Sequence, residues 1–266
     1  MATKKSVVET IDVIELKQGT LKLNILGTTP IILNRLPEKA KRELFYPGKK
    51  KTRADKESKL KHDPWEEFRD SPYLDQSADG PTRIQGLSTW FKQSIRQVAI
   101  DTPGAATKAG LGRLMHVRGE RIPIYGQPFL RCDVVIQAGM SRAPDIRTRC
   151  CIPQWATSIE IDFAMPHLSA KAIAALAARA GVFVGVGDWR AQKGSGNFGS
   201  FEIVDADDAR LPPIMAHGRA SQDAALQNPE IMDRDSRELL DWMIEEAASR
   251  GQIIPGAPVS FAEAAE

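Results

Sequence analysis

The residues with the clearest chemical potential lie in a glycine-rich stretch, GVGDWRAQKGSGNFGSFEI, at positions 185–203. Its glycines surround an aromatic ring and two cations, Trp189, Arg190 and Lys193. A Walker loop and a dinucleotide-binding loop each lead into a helix, whereas FGSFEIVD in this chain predicts a strand. A kinase-type GxGxxG pattern is present, but no HRD or DFG motif follows it. We therefore interpret the stretch as something other than a nucleotide pocket.

Two interpretations of this loop remain open. In the first, Gly185 and Gly187 let a strand pack closely, the later glycines form a turn, and Trp189 belongs to the core. In the second, the same glycines let the backbone approach a sugar-phosphate chain. Arg190 and Lys193 would then pair with phosphates while Trp189 stacks on a base. The second interpretation predicts a saddle for nucleic acid.

Enzymatic chemistry has three weaker candidates. The thiols of Cys150 and Cys151 lie in a basic stretch that could lower a thiol pKa, but an inert pair of small apolar side chains explains them as well. The DADD segment at 205–208 could bind a metal or form a solvated turn, and His116 could be a base in a metal-independent ribonuclease. The three cysteines and four histidines show no metal-ligand spacing. We expect no enzyme, no metal and no cofactor.

Charge is distributed unevenly along the chain, although the formal net charge is only +2. Residues 35–61 carry eleven Lys and Arg against four acids, and residues 113–149 carry seven Arg against three acids. From position 202 to the end, five Arg face fourteen acids. This pattern predicts a polyanion site or head-to-tail attraction between copies, with a solubilising surface as the alternative. Candidate phosphate contacts in the first segment are Lys49, Lys50, Lys51 and Arg53.

The composition is that of a globular protein, because 42% of the 266 residues are hydrophobic. The best candidate for a membrane span, at 172–186, is interrupted by Arg179 and is too short. The first residues lack the apolar segment of a secretory signal, and three cysteines cannot build a disulfide framework. We expect a reduced, cytoplasmic protein with no membrane partner.

Hydrophobic periodicity predicts strands and helices in alternating order. Strands are expected at 20–28, 129–137, 157–163 and 198–204. A first helix is expected to begin at Ser88 as N-cap, and a second to run over 169–180 between the cap Ser169 and the stop Gly181. A short helix is expected at 103–116. The order strand, helix, strand, strand, helix, strand predicts an α+β fold with a ferredoxin or RRM-like split βαβ core.

The core is expected to span 20–204 and to follow an N-terminal extension at 1–19. Residues 29–82 are interpreted as a long basic insertion that is too polar to bury, with helical turns at 38–44 and 63–69. Insertions of this length are usually functional or disordered.

Two later segments are expected outside the regular core. Residues 138–156 contain three Arg and two Pro and are interpreted as a thumb-like loop, because they are too long for a plain hairpin turn. Residues 205–266 form an acidic extension with an amphipathic helix at 233–250 and a loose tail of fifteen residues.

The glycine loop, with the spacing GxG..R…GxGxFGxF at the end of a ferredoxin-like domain, resembles that of the RAMP superfamily of CRISPR effector proteins. The layout over 20–204 is similar to the backbone subunits of that superfamily, which have an RRM-derived core, an insertion after the first strand and a thumb-like hairpin. The whole pattern, including GVGDWR and ILNR…EKAKREL, is also similar to a family of uncharacterised phage and prophage proteins.

The resemblance implies that copies polymerise head to tail along a guide RNA, with other effector-complex subunits as possible partners. It favours RNA over DNA as the bound strand. It also implies that RIQGLSTWFKQSIRQ corresponds to the family's first helix, against the guide backbone, and that 138–156 corresponds to the thumb. The contacts implied at these two positions are Arg83, Lys92, Arg96, Arg142, Arg147 and Arg149.

One departure from the family bears on catalysis. Members that cut target RNA carry an Asp in the loop after the first strand, whereas residues 27–35 here contain Asn34 and no acid. We therefore expect a nucleic-acid-binding protein that self-assembles along a single strand, and not a nuclease. The alternatives are a phage assembly or virion component that binds an acidic protein partner and, third, a ribonuclease.

Overall fold

The computed structural model describes residues 15–46, 60–102, 107–136, 142–193 and 196–257. Within these ranges the chain is a mixed α+β protein, as the sequence predicts, with two four-stranded sheets and one three-stranded sheet. No helix in these ranges is long and apolar enough to cross a membrane.

The elements are numbered here in chain order. The strands are β1 (Lys17–Gly27), β2 (Ile31–Ile32), β3 (Tyr73–Leu74), β4 (Ile84–Leu87), β5 (Met115–Val117), β6 (Arg121–Pro123), β7 (Phe129–Ile136), β8 (Pro144–Ile152), β9 (Ala156–Met165), β10 (Phe201–Val204) and β11 (Glu230–Ile231). The helices are α1 (Glu38–Phe45), α2 (Pro64–Asp70), α3 (Ser88–Val98), α4 (Lys108–Leu114), α5 (Ala170–Phe183), α6 (Leu211–Met215), α7 (Arg219–Gln227) and α8 (Arg234–Ser249).

The first sheet has the strand order β10–β1–β9–β5, and every neighbouring pair is antiparallel. Its central pair, β1 and β9, is in register from Lys17 opposite Met165 to Leu26 opposite Ala156. Both strands confirm the sequence prediction, because their apolar residues alternate with polar ones and fill one face of the sheet.

Helices α3 and α5 cover that apolar face. Phe91 of α3 makes an edge contact with Phe201 of β10, with ring centroids 6.3 Å apart. Both rings and the side chains of Ile95 and Ile173 are buried in one continuous core. Each apolar side chain of this size removed from water contributes about 2 kcal/mol, so the helix pair and the sheet stabilise each other.

The edge of the first sheet differs from the prediction. The predicted strand at 129–137 exists as β7, but it belongs to the second sheet, and the edge place beside β9 is taken by β5. Residues 103–116 were expected to form a helix, but α4 ends at Leu114. In Met115–Val117 two buried residues flank an exposed one, and this two-residue period is too short to stand out in the sequence.

Two predicted helix ends are also wrong. Ser88 is the first residue of α3 and not its cap, because Leu87 occupies the N-cap position and no side chain caps this helix. Helix α5 begins at the predicted cap, Ser169, whose hydroxyl accepts from Ala172 N–H, but it continues past Gly181. A Cβ at Gly181 would lie 1.9 Å from the Phe201 carbonyl oxygen, so this glycine allows close packing and does not end the helix.

The second sheet has the order β11–β7–β8–β2 and contains a long hairpin. Strands β7 and β8 pair from Phe129 opposite Cys151 to Ile136 opposite Pro144. The prediction of a loop over 138–156 is therefore wrong for most of its length, since β8 fills 144–152. Its arginines alternate with Ile146, Thr148 and Cys150, which is a strand period that the two flanking prolines obscure in the sequence.

The part of the insertion at 60–82 packs against this hairpin, so the expectation that the insertion is too polar to bury is wrong for these residues. Trp65 and Phe68 of α2 are fully buried, while the predicted helical turns at 38–44 and 63–69 are confirmed as α1 and α2. The Glu67 carboxylate accepts from Thr148 N–H at 3.3 Å, and the Ser71 hydroxyl accepts from Cys150 N–H at 2.7 Å. The insertion thereby supplies acceptors for backbone amides of β8.

The acidic C-terminal segment is also part of the packed structure. The predicted helix at 233–250 is confirmed as α8, which begins at the cap Asp233 and lies on β7, where Ser236 donates to the Cys132 carbonyl. Gln222 of α7 is fully buried and its side-chain oxygen accepts from the backbone amide of Ile84 in the third sheet, β3–β4–β6. Residues 252–257 of the expected loose tail are described, and Ile254 among them is buried.

The other face of the first sheet is open and polar over most of its area. Thr20, Lys22, Glu160 and His116 are exposed there. Arg118 donates to the Asp162 carboxylate at 2.8 Å and to Glu160, and this pairing lowers the pKa of Asp162 to about 2. A carboxylate whose pKa is lowered on folding stabilises the fold above its ordinary pKa and loses that effect in acid.

We predict that replacing Arg118 with Ala raises the pKa of Asp162 toward its ordinary value of 3.8. In the wild type, the contribution of Asp162 to stability should be complete above about pH 4 and should disappear as the pH falls toward 2. Carboxyl carbon NMR titration measures the shift. The control is Asp208, which Arg210 holds at a pKa of about 2 and which should not change. If the pKa of Asp162 does not change, the hydrogen bond from the Thr20 hydroxyl is sufficient to keep that pKa low.

Candidate nucleic-acid interface

The glycine-rich loop is held by backbone hydrogen bonds to two parts of the chain. Val186 N–H donates to the Gly199 carbonyl at 2.9 Å, and Gly199 N–H donates to the Pro30 carbonyl at 2.8 Å. Gly199 has a φ of +70°, and a Cβ there would lie 1.8 Å from the Val186 carbonyl oxygen. The interpretation of the glycines as packing residues is therefore correct for the ends of the loop, where they allow two backbone segments to approach closely.

Asp188 joins the loop to the hairpin. Its carboxylate oxygen Oδ2 accepts from Asn34 Nδ2 at 2.9 Å and from Arg149 Nη1 at 3.1 Å. Its backbone N–H donates to the Ile32 carbonyl at 2.9 Å. The loop after β1, the strand β8 and the glycine loop thus meet at the Asp188 carboxylate. Asn34 supplies the contact from the loop after β1, and Arg149 supplies the contact from β8.

Trp189 projects from this junction in a strained backbone conformation. Its φ is +51°, in the left-handed region that non-glycine residues rarely adopt. Its ring stacks on Phe198 with centroids 5.7 Å apart, and the Arg131 guanidinium lies over the same phenyl ring at 5.1 Å. The indole is half-buried, so it has a fixed orientation and also an accessible part.

The two predicted cations of the loop are described to different extents. Arg190 is half-buried, donates from Nη1 to the Gly187 carbonyl at 3.0 Å, and contacts Gln192 through Nε. Its guanidinium is therefore positioned by the loop itself. The side chain of Lys193 lies outside the part that the structure describes.

The three arginines predicted for the thumb have different surroundings. Arg142 is exposed beside the hairpin tip and has a φ of +43°. Arg147 is 46% exposed and pairs with Asp145 at 3.0 Å, whereas Arg149 is only 12% exposed and pairs with Asp188. We define the loop–hairpin surface as the group formed by Asn34, Arg147, Arg149, Trp189 and Arg190.

A cleft of about 480 Å³ adjoins this surface between the insertion and β8. At its wall His62 contacts Glu67 through Nδ1 at 2.6 Å and Asp145 through Nε2 at 3.2 Å. Asp145 is only 3% exposed and also pairs with Lys61 and Arg147. The cations of the cleft are thus matched by carboxylates, so the region is less basic than the sequence count suggests.

The structure separates the three residues assigned to the family's first helix. Arg83 precedes β4 and pairs with Asp223, and its Nη1 donates to the Asp75 carbonyl at 2.6 Å. Lys92 and Arg96 lie on α3 and are half-buried. The Nε of Arg96 is buried and has no hydrogen-bond acceptor within the described part of the chain. None of the three belongs to the loop–hairpin surface. The predicted contacts Lys49, Lys50, Lys51 and Arg53 lie outside the described residues.

The thiol and metal candidates are explained by burial and pairing. Burial raises the pKa of Cys150 well above its ordinary value and that of Cys151 to about 12, so neither thiol is a reactive nucleophile. Arg210 lowers the pKa of Asp208 to about 2 by hydrogen bonding to its carboxylate. Over the described ranges, no group of three His, Cys, Asp or Glu side chains could hold a metal ion.

Sequence reasoning missed Asp188, Phe198 and Arg131 as parts of the site. The first lies inside the quoted loop, but its role depends on Asn34 and Arg149, which lie 154 and 39 positions away in sequence. Phe198 was visible as part of the FGSF segment, and an aromatic residue nine positions after Trp189 could have indicated a stacked pair.

A scan of the chain against protein-family models gave no match, and a search of curated proteins gave none either.

We predict that Gly199→Ala destabilises the protein by about 3 kcal/mol or more, since it combines left-handed strain with a clash against Val186. The matched control is Gly251→Ala, because Gly251 has a φ of +66° and no atom of the described residues lies within 4 Å of the new Cβ. That variant should lose only about 1 kcal/mol. Urea denaturation of both variants measures the difference. Equal losses would mean that the loop can move away from Val186.

Proposed function

We propose that the protein is a cytoplasmic nucleic-acid-binding protein that holds a single strand, RNA in preference to DNA, on the loop–hairpin surface. Copies associate head to tail along the bound strand. The observation that carries this proposal is the position of Trp189, held by Phe198 in strained geometry beside Arg190 and Arg149. A fixed aromatic ring next to guanidinium groups is the combination that single-strand binding uses.

The arrangement of the first sheet supports a ferredoxin-like core for this function. Its strand order, β10–β1–β9–β5, corresponds to 4-1-3-2 for the strands of a split βαβ unit, with α3 and α5 as the two crossover helices. In this assignment β5 is the second strand, and the hairpin β7–β8 is inserted after it. The glycine loop connects α5 to β10, which is where the resemblance to RAMP proteins puts it.

The open face of the first sheet is a weaker candidate for the strand. RRM domains stack bases on aromatic side chains of this face. Here most positions facing outward on β1, β5 and β9 are polar, the exceptions are the aliphatic Leu26, Ala156 and Ala164, and none of those described is aromatic. Arg118 on that face is already paired with Glu160 and Asp162. We therefore assign base stacking to Trp189 and not to the sheet.

We expect the strand to bind with moderate affinity, because the arginines of the surface already pair with carboxylates. Arg147 must exchange some of its contact with Asp145 for a phosphate, and Arg149 is nearly buried against Asp188. Ion pairs at partly exposed positions have small net energies. A phosphate can therefore compete for Arg147, while Arg149 serves mainly to position the loop.

The test compares Arg147→Ala with Arg118→Ala in binding a labelled oligouridine by fluorescence anisotropy. The two arginines are matched, because their side chains are 46% and 48% exposed and both pair with acids. Arg147→Ala should weaken binding about fivefold and lower the slope of log affinity against log salt by about 0.7. Arg118→Ala should change neither quantity. Equal effects of the two substitutions, or no binding by the wild type, would contradict the proposal.

A second variant tests the aromatic contact. Trp189→Ala should weaken binding by about 1–3 kcal/mol if a base stacks on the indole, with the salt slope unchanged because no charge is removed. Circular dichroism at the assay temperature checks that the variant is folded. If affinity is retained by a folded Trp189→Ala protein, the ring is only a packing element for Phe198.

A further inference from the structure

A separate pocket of about 440 Å³ lies between the start of β7 and helix α6. Its apolar walls are Phe129, Pro153, Pro213 and Ile214, and its polar lining comes from Gln127, Gln154 and His217. It shares no residue with the loop–hairpin surface, and among the described residues neither Lys nor Arg lines it. Pockets of this size with apolar walls and a few fixed polar groups are typical of small-molecule sites.

The polar end of the pocket is rigid because its backbone is anchored. The fully buried side chain of Gln222 donates from Nε2 to the carbonyls of Ile124 and Gly126, at 2.8 and 3.1 Å. Gly126 N–H in turn donates to the His217 carbonyl at 3.1 Å. The segments that carry Gln127 and His217 are thus tied together directly beside the pocket.

A chain of hydrogen bonds then determines which atom of His217 can accept from a ligand and which atom of Gln127 can donate to it. Ser221 Oγ donates its single proton to Gln127 Oε1 at 2.6 Å. His217 Nδ1, 3.1 Å from the same hydroxyl oxygen, must therefore be the donor of that contact. In the neutral imidazole this leaves Nε2 as an acceptor, and in Gln127 it leaves the Nε2 amide as a donor. Neither atom has a partner among the described residues.

We propose that this pocket binds a nucleobase, as a free nucleoside or at the end of a strand. A base has flat apolar faces that suit the walls of Phe129 and the two prolines. Its edge presents a donor beside an acceptor, which complements the His217 acceptor and the Gln127 donor. Adenine and cytosine have such an edge in their amino group and adjacent ring nitrogen. The inference does not depend on strand binding at the loop–hairpin surface.

Titration with adenosine, which carries no phosphate, tests the proposal without electrostatic attraction. Isothermal calorimetry should show saturable binding, and N6,N6-dimethyladenosine, which lacks the amino donor, should bind about tenfold more weakly. His217→Phe and Gln127→Leu should each weaken adenosine binding by a similar factor. Lys171→Ala, an exposed position on α5, is the matched surface control and should change nothing.

The hydrogen-bond chain has its own readout. Ser221→Ala removes the hydroxyl without removing either group that contacts the ligand, so it should release the imidazole from the Nδ1–H tautomer. Imidazole nitrogen NMR detects this change, and adenosine affinity should fall with it. The proposal is overturned if adenosine shows no saturation up to about 10 mM, or if its dimethyl analogue binds equally well. Arg147→Ala, measured in parallel, separates the two sites, since it should weaken oligouridine binding at the loop–hairpin surface and leave adenosine binding unchanged.

Discussion

Residues 30–33 connect the first sheet, the hairpin and the glycine-rich loop, and the rest of the architecture depends on that connection. The segment pairs with β8 on one side, and two of its carbonyls accept the amides of Asp188 and Gly199 on the other. Its three aliphatic side chains at 31–33 are fully buried, so it cannot separate from either neighbour without exposing them to water. The site of the proposed function exists because this short segment brings three distant stretches together.

Local features of the fold were predictable from the sequence, whereas strand partners were not. Period-two alternation located β1 and β9, and the serine cap located the start of α5, because each signal lies within a few residues. The partner of β7 and the edge strand β5 depend on tertiary packing that no local pattern encodes. The same distinction applies to the site: Trp189 and Arg190 stand out in the loop, but the pairing of Asp188 with Arg149 is visible only in three dimensions.

The charge count of the sequence overstated how basic the hairpin is. Arg131, Arg147 and Arg149 each pair with a carboxylate, and the acids come from the loop, the strand itself and the C-terminal extension. A surface of paired charges keeps its guanidinium groups oriented even without a ligand. It also limits non-specific attraction, since a polyanion must compete with neighbouring carboxylates at each contact. Geometry, more than net charge, therefore decides what can bind there.

The capping of β8 by Glu67 and Ser71 has a consequence for the behaviour of the protein in solution. A strand with free amides at the margin of a sheet can recruit a strand from another molecule and start aggregation. Two amides of β8 are already occupied by side chains of the insertion, so this edge is closed to such recruitment. Residues 60–71 thus protect this edge, and a shortened protein that lacked them would be prone to precipitate, because it would expose the edge of β8 and also lose the core residues Trp65 and Phe68.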